Sequence, residues 1–353
     1  MGKDGDLLDA LIKKFNDSLA GNEKPIKYRT GLLPLDYVFD NGLQAGTITE
    51  IYGEPSTGKT TTALLIAKTF LNRGMKVIYM DTEFALDINW CLRNGLDINK
   101  LQEDRKLFII SPDTADKAYK MAIDSAKTGE VGCVIIDSIA SLPVAEMLLE
   151  EDPVNFNRPG LSAKKQTNFL VAIKPILHQT KTSLVLINQV RANISPYGAP
   201  TSVPGSYYKR FASSYIIELK KKDIIGLKEQ PDGIVVQIKN IKNKCGIPYR
   251  LEYMQIHKQV GLDIASSNMD YLIAHGLIKR TGAYYSIGEE RFRGREELKA
   301  YLLEHSDVVT ELVSKAEVQE SDSGVKIIEK EVELIDKPQV EKATDDTTND
   351  GGA

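Results

Sequence analysis

Gly53-Glu54-Pro55-Ser56-Thr57-Gly58-Lys59-Thr60 follows the apolar run Ile48-Thr49-Glu50-Ile51-Tyr52 and leads into a helical pattern that begins near Lys59. Glycines at both ends, then lysine and a hydroxyl residue, make the phosphate-loop pattern, and a strand before it and a helix after it are the context that pattern requires. The glycines let the backbone wrap closely, so successive N–H groups and the helix N-terminus point at phosphate oxygens. Lys59 adds a point charge for the β and γ phosphates. The Thr60 hydroxyl is a hard oxygen of the kind magnesium takes beside phosphates. The stretch therefore predicts a nucleoside triphosphate and magnesium site built from Gly53, Glu54, Pro55, Ser56, Thr57, Gly58, Lys59 and Thr60, with Thr61 beside them.

Outward from this loop, short apolar runs alternate with helical stretches: Val77–Met80, Leu107–Ile110, Cys133–Ile136 and Leu184–Ile187. The alternation predicts an α/β fold with a mostly parallel central sheet covered by helices on both faces. Further strands are expected at Tyr215–Leu219, Gly233–Ile238 and Arg250–Ile256. After Gly261 the pattern changes to helices around Asn268–His275 and Arg295–Glu304 with a strand at Ala283–Ser286, which predicts a small C-terminal α+β domain. The expected divisions are an N-terminal segment 1–30, a core 31–258, the small domain 259–315 and a tail 316–353. In the first segment Leu7, Leu8, Leu11, Ile12 and Phe15 recur at helical spacing, so an amphipathic helix is expected, whose apolar face docks on another protomer or packs on its own domain.

The formal charge of −4 conceals an uneven distribution. From Ala316 onward 11 acidic residues stand against 4 basic ones, which leaves 38 acidic and 41 basic residues in the mildly basic remainder. That bias is compatible with a nucleic-acid groove without proving one. The acidic tail has few aromatics and reads as disordered; it either competes with DNA for the basic surface or only aids solubility. Cys91, Cys133 and Cys245 are scattered, odd in number and without Cys-x-x-Cys spacing, which argues against a disulfide framework or a zinc site. The apolar runs are too short to span a bilayer, the N-terminus is not signal-like, and Asp6 stands where a myristoylation motif needs Ser or Thr. A cytoplasmic protein without membrane association is expected.

Val134-Ile135-Ile136-Asp137-Ser138 is an apolar strand ending in a carboxylate. Strand-end aspartates often cap helices, but after a phosphate loop Asp137 is expected to hold magnesium directly or through water. Glu83 follows the strand Val77–Asp81, where strand C-termini line the ligand crevice, and is the candidate for activating water rather than a solvated loop carboxylate. Trp90, the sole tryptophan, stacks on a base or packs in the core.

The phosphate loop, Met80-Asp81-Thr82-Glu83-Phe84-Ala85-Leu86-Asp87, Val134–Ser138 and Leu186-Ile187-Asn188-Gln189-Val190-Arg191 come in an order that closely resembles the bacterial RecA recombinase family, phage members included. The likeness runs from the N-terminal helix to about Lys315 and extends to Asn240-Ile241-Lys242-Asn243-Lys244 and Gly282–Ser286. It implies a RecA-like P-loop NTPase core, with ATP and Mg2+ as ligands. By the same resemblance Glu83 is the catalytic glutamate, Asp87 and Trp90 contact adenine, and Gln189 senses the γ phosphate. Trp90 stands where the family commonly has tyrosine. Because ATP in this family lies between protomers of a homo-oligomeric helical filament, Lys242 and Lys244 would reach a neighbour's phosphates, much as an arginine finger does.

Two DNA-binding loops are implied. One, about Glu150–Lys165, holds Arg158, Lys164 and Lys165; it is longer than usual and includes Asp152-Pro153. The other, Arg191–Phe211, is too rich in Pro and Gly for a regular element and carries Arg191, Tyr197, Tyr207, Tyr208, Lys209 and Arg210, cations and rings suited to single strands; a mobile lid or oligomer contact is the alternative. Lys209 keeps the family's interface lysine, whereas Arg210 replaces an aromatic that transmits nucleotide state. The implied function is a DNA-dependent ATPase that polymerises on single-stranded DNA and pairs it with homologous double-stranded DNA in recombination and repair, with possible recombination mediators as partners. A hexameric replicative helicase shares such a core but usually has a different N-terminal domain. A regulatory ATP switch that binds protein partners without DNA is the rival of another class.

Overall fold

Runs of β-branched and aliphatic residues form the strands of one large sheet in the computed structural model, which describes residues 24–151, 158–192, 201–305 and 307–314. The strands are β1 (Ile48–Gly53), β2 (Lys76–Asp81), β3 (Leu107–Ile110), β4 (Val131–Asp137), β5 (Ser183–Gln189), β6 (Tyr215–Gly226), β7 (Pro231–Asn243), β8 (Leu251–His257) and β9 (Gly261–Leu262). Their spatial order is β9-β8-β7-β6-β1-β5-β4-β2-β3. From β6 to β3 all neighbours run parallel, and β7, β8 and β9 extend the sheet antiparallel.

Strands covered on both faces need no polar side, and β4 and β5 are near-continuous apolar runs for that reason. Alternate residues still point to opposite faces. Ile135 joins one core with Ile51, Tyr79, Ile187 and the inner side of helix α1 (Lys59–Leu71). Val134 and Ile136 join a second core with Leu184, Leu186 and the helices α2 (Ala115–Lys127) and α3 (Leu161–Thr180). Tyr119 of α2 stacks on Phe169 of α3, with centroids 4.2 Å apart. In register, Gly53 lies opposite Gln189 and Asp81 opposite Asp137, so the carboxyl ends of four parallel strands deliver the candidate residues to one edge.

The chain divides into two compact units between Tyr271 and Leu272. Within the second, Lys279–Thr281, Tyr284–Ile287 and Glu290–Arg293 form an antiparallel sheet, where the sequence predicts one strand, followed by a helix at Arg295–Glu304. Tyr285, Phe292, Leu298 and Leu302 are buried in it. The expected fold class, a mostly parallel sheet with helices plus a small α+β part, is the one found. The predicted helix at Leu7–Phe15, the Asp152-Pro153 insertion, Tyr197 and the acidic tail lie outside the described residues. Among those described, no helix is long and apolar enough to cross a membrane.

Candidate nucleotide site

The phosphate loop is shaped by positions that tolerate little else. A Cβ on Gly53 would stand 2.3 Å from the Leu219 carbonyl oxygen, so β1 and β6 approach closely only because that residue is glycine. Gly58, at φ +80°, is the N-cap of α1. The Thr57 hydroxyl donates to the Glu54 carbonyl at 2.8 Å and pins the turn. Lys59 Nζ donates to the carbonyls of Gly53 (3.0 Å) and Glu54 (2.7 Å), which places its charge at the mouth of the loop. Burial lowers its pKa, opposed by the carboxylates of Asp137 and Glu83.

Thr60 Oγ1 donates to Asp137 Oδ2 at 2.7 Å, as does the Tyr79 hydroxyl at 2.7 Å. Burial raises the Asp137 pKa, and the two hydroxyl donors pull it down. Glu83 Oε1 accepts from Ser138 Oγ at 2.5 Å and from Gln189 Nε2 at 2.6 Å. Its loop is braced by the Asp81 carboxylate, which accepts the N–H groups of Glu83 (3.3 Å), Ala85 (3.3 Å) and Leu86 (3.0 Å). A cleft of about 290 Å³ is lined by Pro55, Ser56, Gly58, Lys59, Thr60, Thr61, Glu83, Asp137 and Gln189. Thus a phosphate cradle, a cation, a hard-oxygen pair and a water-facing carboxylate converge. Thr60 and Asp137 fit magnesium: no three His, Cys, Asp or Glu side chains cluster for a metal among the described residues, and magnesium completes its shell from phosphates and water.

Other candidates stand elsewhere. Asp87 is exposed and caps the short helix Ile88–Arg93, accepting the Trp90 N–H at 2.9 Å. Trp90 packs half-buried against the first core, and its indole N–H donates to Thr61 Oγ1 at 3.2 Å. Its partly exposed ring thus stands beside Thr61, a lining residue of the cleft. Lys242 is level with Ile216 on β6 and hence with Glu50 on β1, away from the carboxyl edge, and Lys244 lies beyond it. Their ammonium groups donate to the carbonyls of Arg210 and Phe211. Burial and the nearby Lys244 push the Lys242 pKa down to about 8. Neither lines the cleft of its own chain.

The residues expected to contact DNA have different local settings. Lys164 and Lys165 belong to the first turns of α3 rather than to a loop. Lys164 is exposed, but Lys165 is ion-paired with Asp116 at 2.5 Å and with Glu146. Arg158 is exposed and bonded to Glu150 at 2.6 Å. The second loop is not wholly irregular: Arg191–Ala192 pairs with Thr201–Ser202, and Tyr208–Ala212 is a short helix, α4. Tyr208 packs against the second core. Lys209 is only 3% exposed: its ammonium lies 2.5 Å from Glu50 and donates to the Pro204 carbonyl at 2.8 Å, so it has no face for a phosphate. Burial lowers its pKa against the pull of Glu50. Glu50, 2% exposed, requires such a counter-charge, and a glutamate inside an apolar strand was the signal for it. Tyr207 and Arg210 are exposed, the guanidinium 5.9 Å from the ring centre. Ser138, Tyr79 and Asn188, whose amide donates to Glu50 at 2.9 Å, are site residues that the sequence pattern did not single out.

Comparison with known proteins adds the following. The family model described as the RecA N-terminal domain matches residues 18–263, and that of the RecA C-terminal domain matches residues 268–319. The chain is 32% identical to Protein RecA of Thermus aquaticus over 291 residues, 81% of this chain and 83% of the relative. With Protein RecA of Clostridium acetobutylicum it shares 29% identity over 323 residues, 90% and 88% of the two chains. A crystal structure of the RadB recombinase shares the fold, with a TM-score of 0.50 and 21% identity over 67% of this chain and 98% of that one.

Proposed function

Because the chain belongs to the RecA family, we propose that it is a DNA-dependent ATPase of the bacterial or phage RecA type, which forms filaments on single-stranded DNA and pairs that strand with a homologous duplex in recombinational repair. Gln189 carries this reading. It ends β5 at the cleft, its amide lies 2.6 Å from Glu83, and the chain passes from it almost directly into the segment 191–211. A DNA strand that displaces this segment moves Gln189, and Glu83 with it, so that DNA and hydrolysis share one conformational equilibrium.

In the reaction, the loop N–H groups and Lys59 hold the β and γ phosphates. Thr60 and Asp137 would hold magnesium, which when bound would neutralise charge on the phosphate oxygens. Glu83 takes a proton from water as its oxygen bonds to the γ phosphorus, while the bond to the bridging oxygen breaks and its electron pair leaves with ADP. Lys242 and Lys244, remote from their own cleft, stabilise the charge that develops at a neighbour's γ phosphate. ATP binding assembles the filament, hydrolysis releases it, and mediator proteins load it. Arg158, Lys164, Tyr207 and Arg210 are the exposed groups that meet DNA. ATP turnover with and without single-stranded DNA tests the proposal: turnover rises on adding DNA if it holds, and turnover that does not change overturns it in favour of a protein-binding ATP switch.

A further inference from the structure

Asp137 is held by more than the phosphate-loop helix. Its Oδ2 accepts two hydroxyl protons, one from Thr60 at 2.7 Å and one from Tyr79 at 2.7 Å, while Oδ1 has no hydrogen-bond partner among the described residues. Tyr79 lies on β2 opposite Ile135, 58 residues away from Asp137 in sequence, and is 1% exposed. Its ring belongs to the first hydrophobic core. A buried phenol left without a partner is costly, so the two ends of this side chain have separate tasks: the ring fills the core and the hydroxyl meets the carboxylate.

We infer that Tyr79 is a positioning residue for the magnesium site: its hydroxyl anchors one oxygen of Asp137 within the protein and leaves the other for the ion's coordination shell. This rests on the proposed function, in which the cleft takes ATP with magnesium. Thr60 alone is a weaker anchor, because its hydroxyl oxygen is itself offered to the ion. Partners of a ligating carboxylate tune metal affinity by fixing its orientation.

Tyr79→Phe removes the hydroxyl and keeps the ring. In the full-length chain, equilibrium binding of a fluorescent ATP analogue is titrated with magnesium. The magnesium needed for half-maximal binding is expected to rise about tenfold. Binding in the presence of a chelator should stay as it is, which a merely structural loss would not allow, whereas the melting temperature of the nucleotide-free chain should fall by a few degrees because a buried carboxylate loses one donor. A magnesium requirement present in the unaltered chain but unmoved in Tyr79→Phe overturns the role of Tyr79 alone. If the unaltered chain shows no magnesium-dependent binding, the proposed function falls and this role with it. Should Tyr79→Phe fail to fold, 3-fluorotyrosine placed at position 79 alone gives the same decision: its fluorine resonance shifts when magnesium joins the nucleotide, and a resonance that does not move overturns the inference.

Discussion

Glu83 is held between the Ser138 hydroxyl and the Gln189 amide, two donors that fix the orientation of one carboxylate oxygen. Glu83→Gln should lower the ATP turnover number by about 10²- to 10⁴-fold while leaving nucleotide binding intact, because only proton transfer is removed. Turnover close to that of the unaltered chain would assign the base elsewhere. Lys242 makes a second prediction. A lysine is charged below its pKa, so with a value near 8 the charge that Lys242 offers a neighbour is present in mildly acidic and neutral solution and is lost as pH rises through that value. DNA-dependent turnover should fall over the same range, and Lys242→Arg, which stays charged, should flatten the profile. A profile unaltered by that substitution would separate Lys242 from the chemistry. At this scale the phosphate loop and Asp137 were legible because each motif is local in sequence. Ser138, Tyr79 and Glu50 were not assigned roles, because their partners stand 55, 58 and 159 residues away and meet them only in the folded sheet.

The buried ion pair of Glu50 and Lys209 fastens α4 to β1, and Asn188 on β5 adds hydrogen bonds to Glu50 and to the Pro204 carbonyl, both at 2.9 Å. Lys209→Ala strands a buried carboxylate and should cost about 3–5 kcal/mol in urea denaturation, whereas Glu50→Gln combined with Lys209→Met should cost much less. Equal losses in the two variants would mean that packing, not charge, holds the elements together. Most strands were readable to within two residues, and Leu107–Ile110 and the helix Arg295–Glu304 coincide with their expected bounds. The long hairpin of β6 and β7 was underestimated. Its Lys220-Lys221-Lys222-Asp223 run looks like a loop by composition, but the residues are exposed along a ladder paired to Gln237, Val236 and Val235, so tertiary pairing decides their conformation. The helix at Tyr208–Ala212 was hidden for the opposite reason: the Pro and Gly of the preceding segment masked five residues held by the buried Lys209.

For the molecule as a whole, the separation of Lys242 and Lys244 from their own cleft gives the proposed trans role a direct test. Glu83→Gln and Lys242→Ala should each be nearly inactive alone, yet an equal mixture should recover about a quarter of normal turnover, since random head-to-tail contacts pair an intact glutamate with an intact lysine at that frequency. No recovery, in a mixture shown to co-assemble, would place all of the catalytic groups in one chain. The acidic stretch after Lys315 carries a separate test: its removal should strengthen duplex binding at low magnesium if it competes with DNA, and unchanged binding would leave it a solubilising role. The lysines sit at the end of the sheet away from the carboxyl edge, so under the proposed sharing each subunit would complete the next one's pocket and depend on another for its own. The outermost subunit on one side of such an assembly would then hold ATP that nobody finishes, an unspent terminal cap from which shortening could not begin.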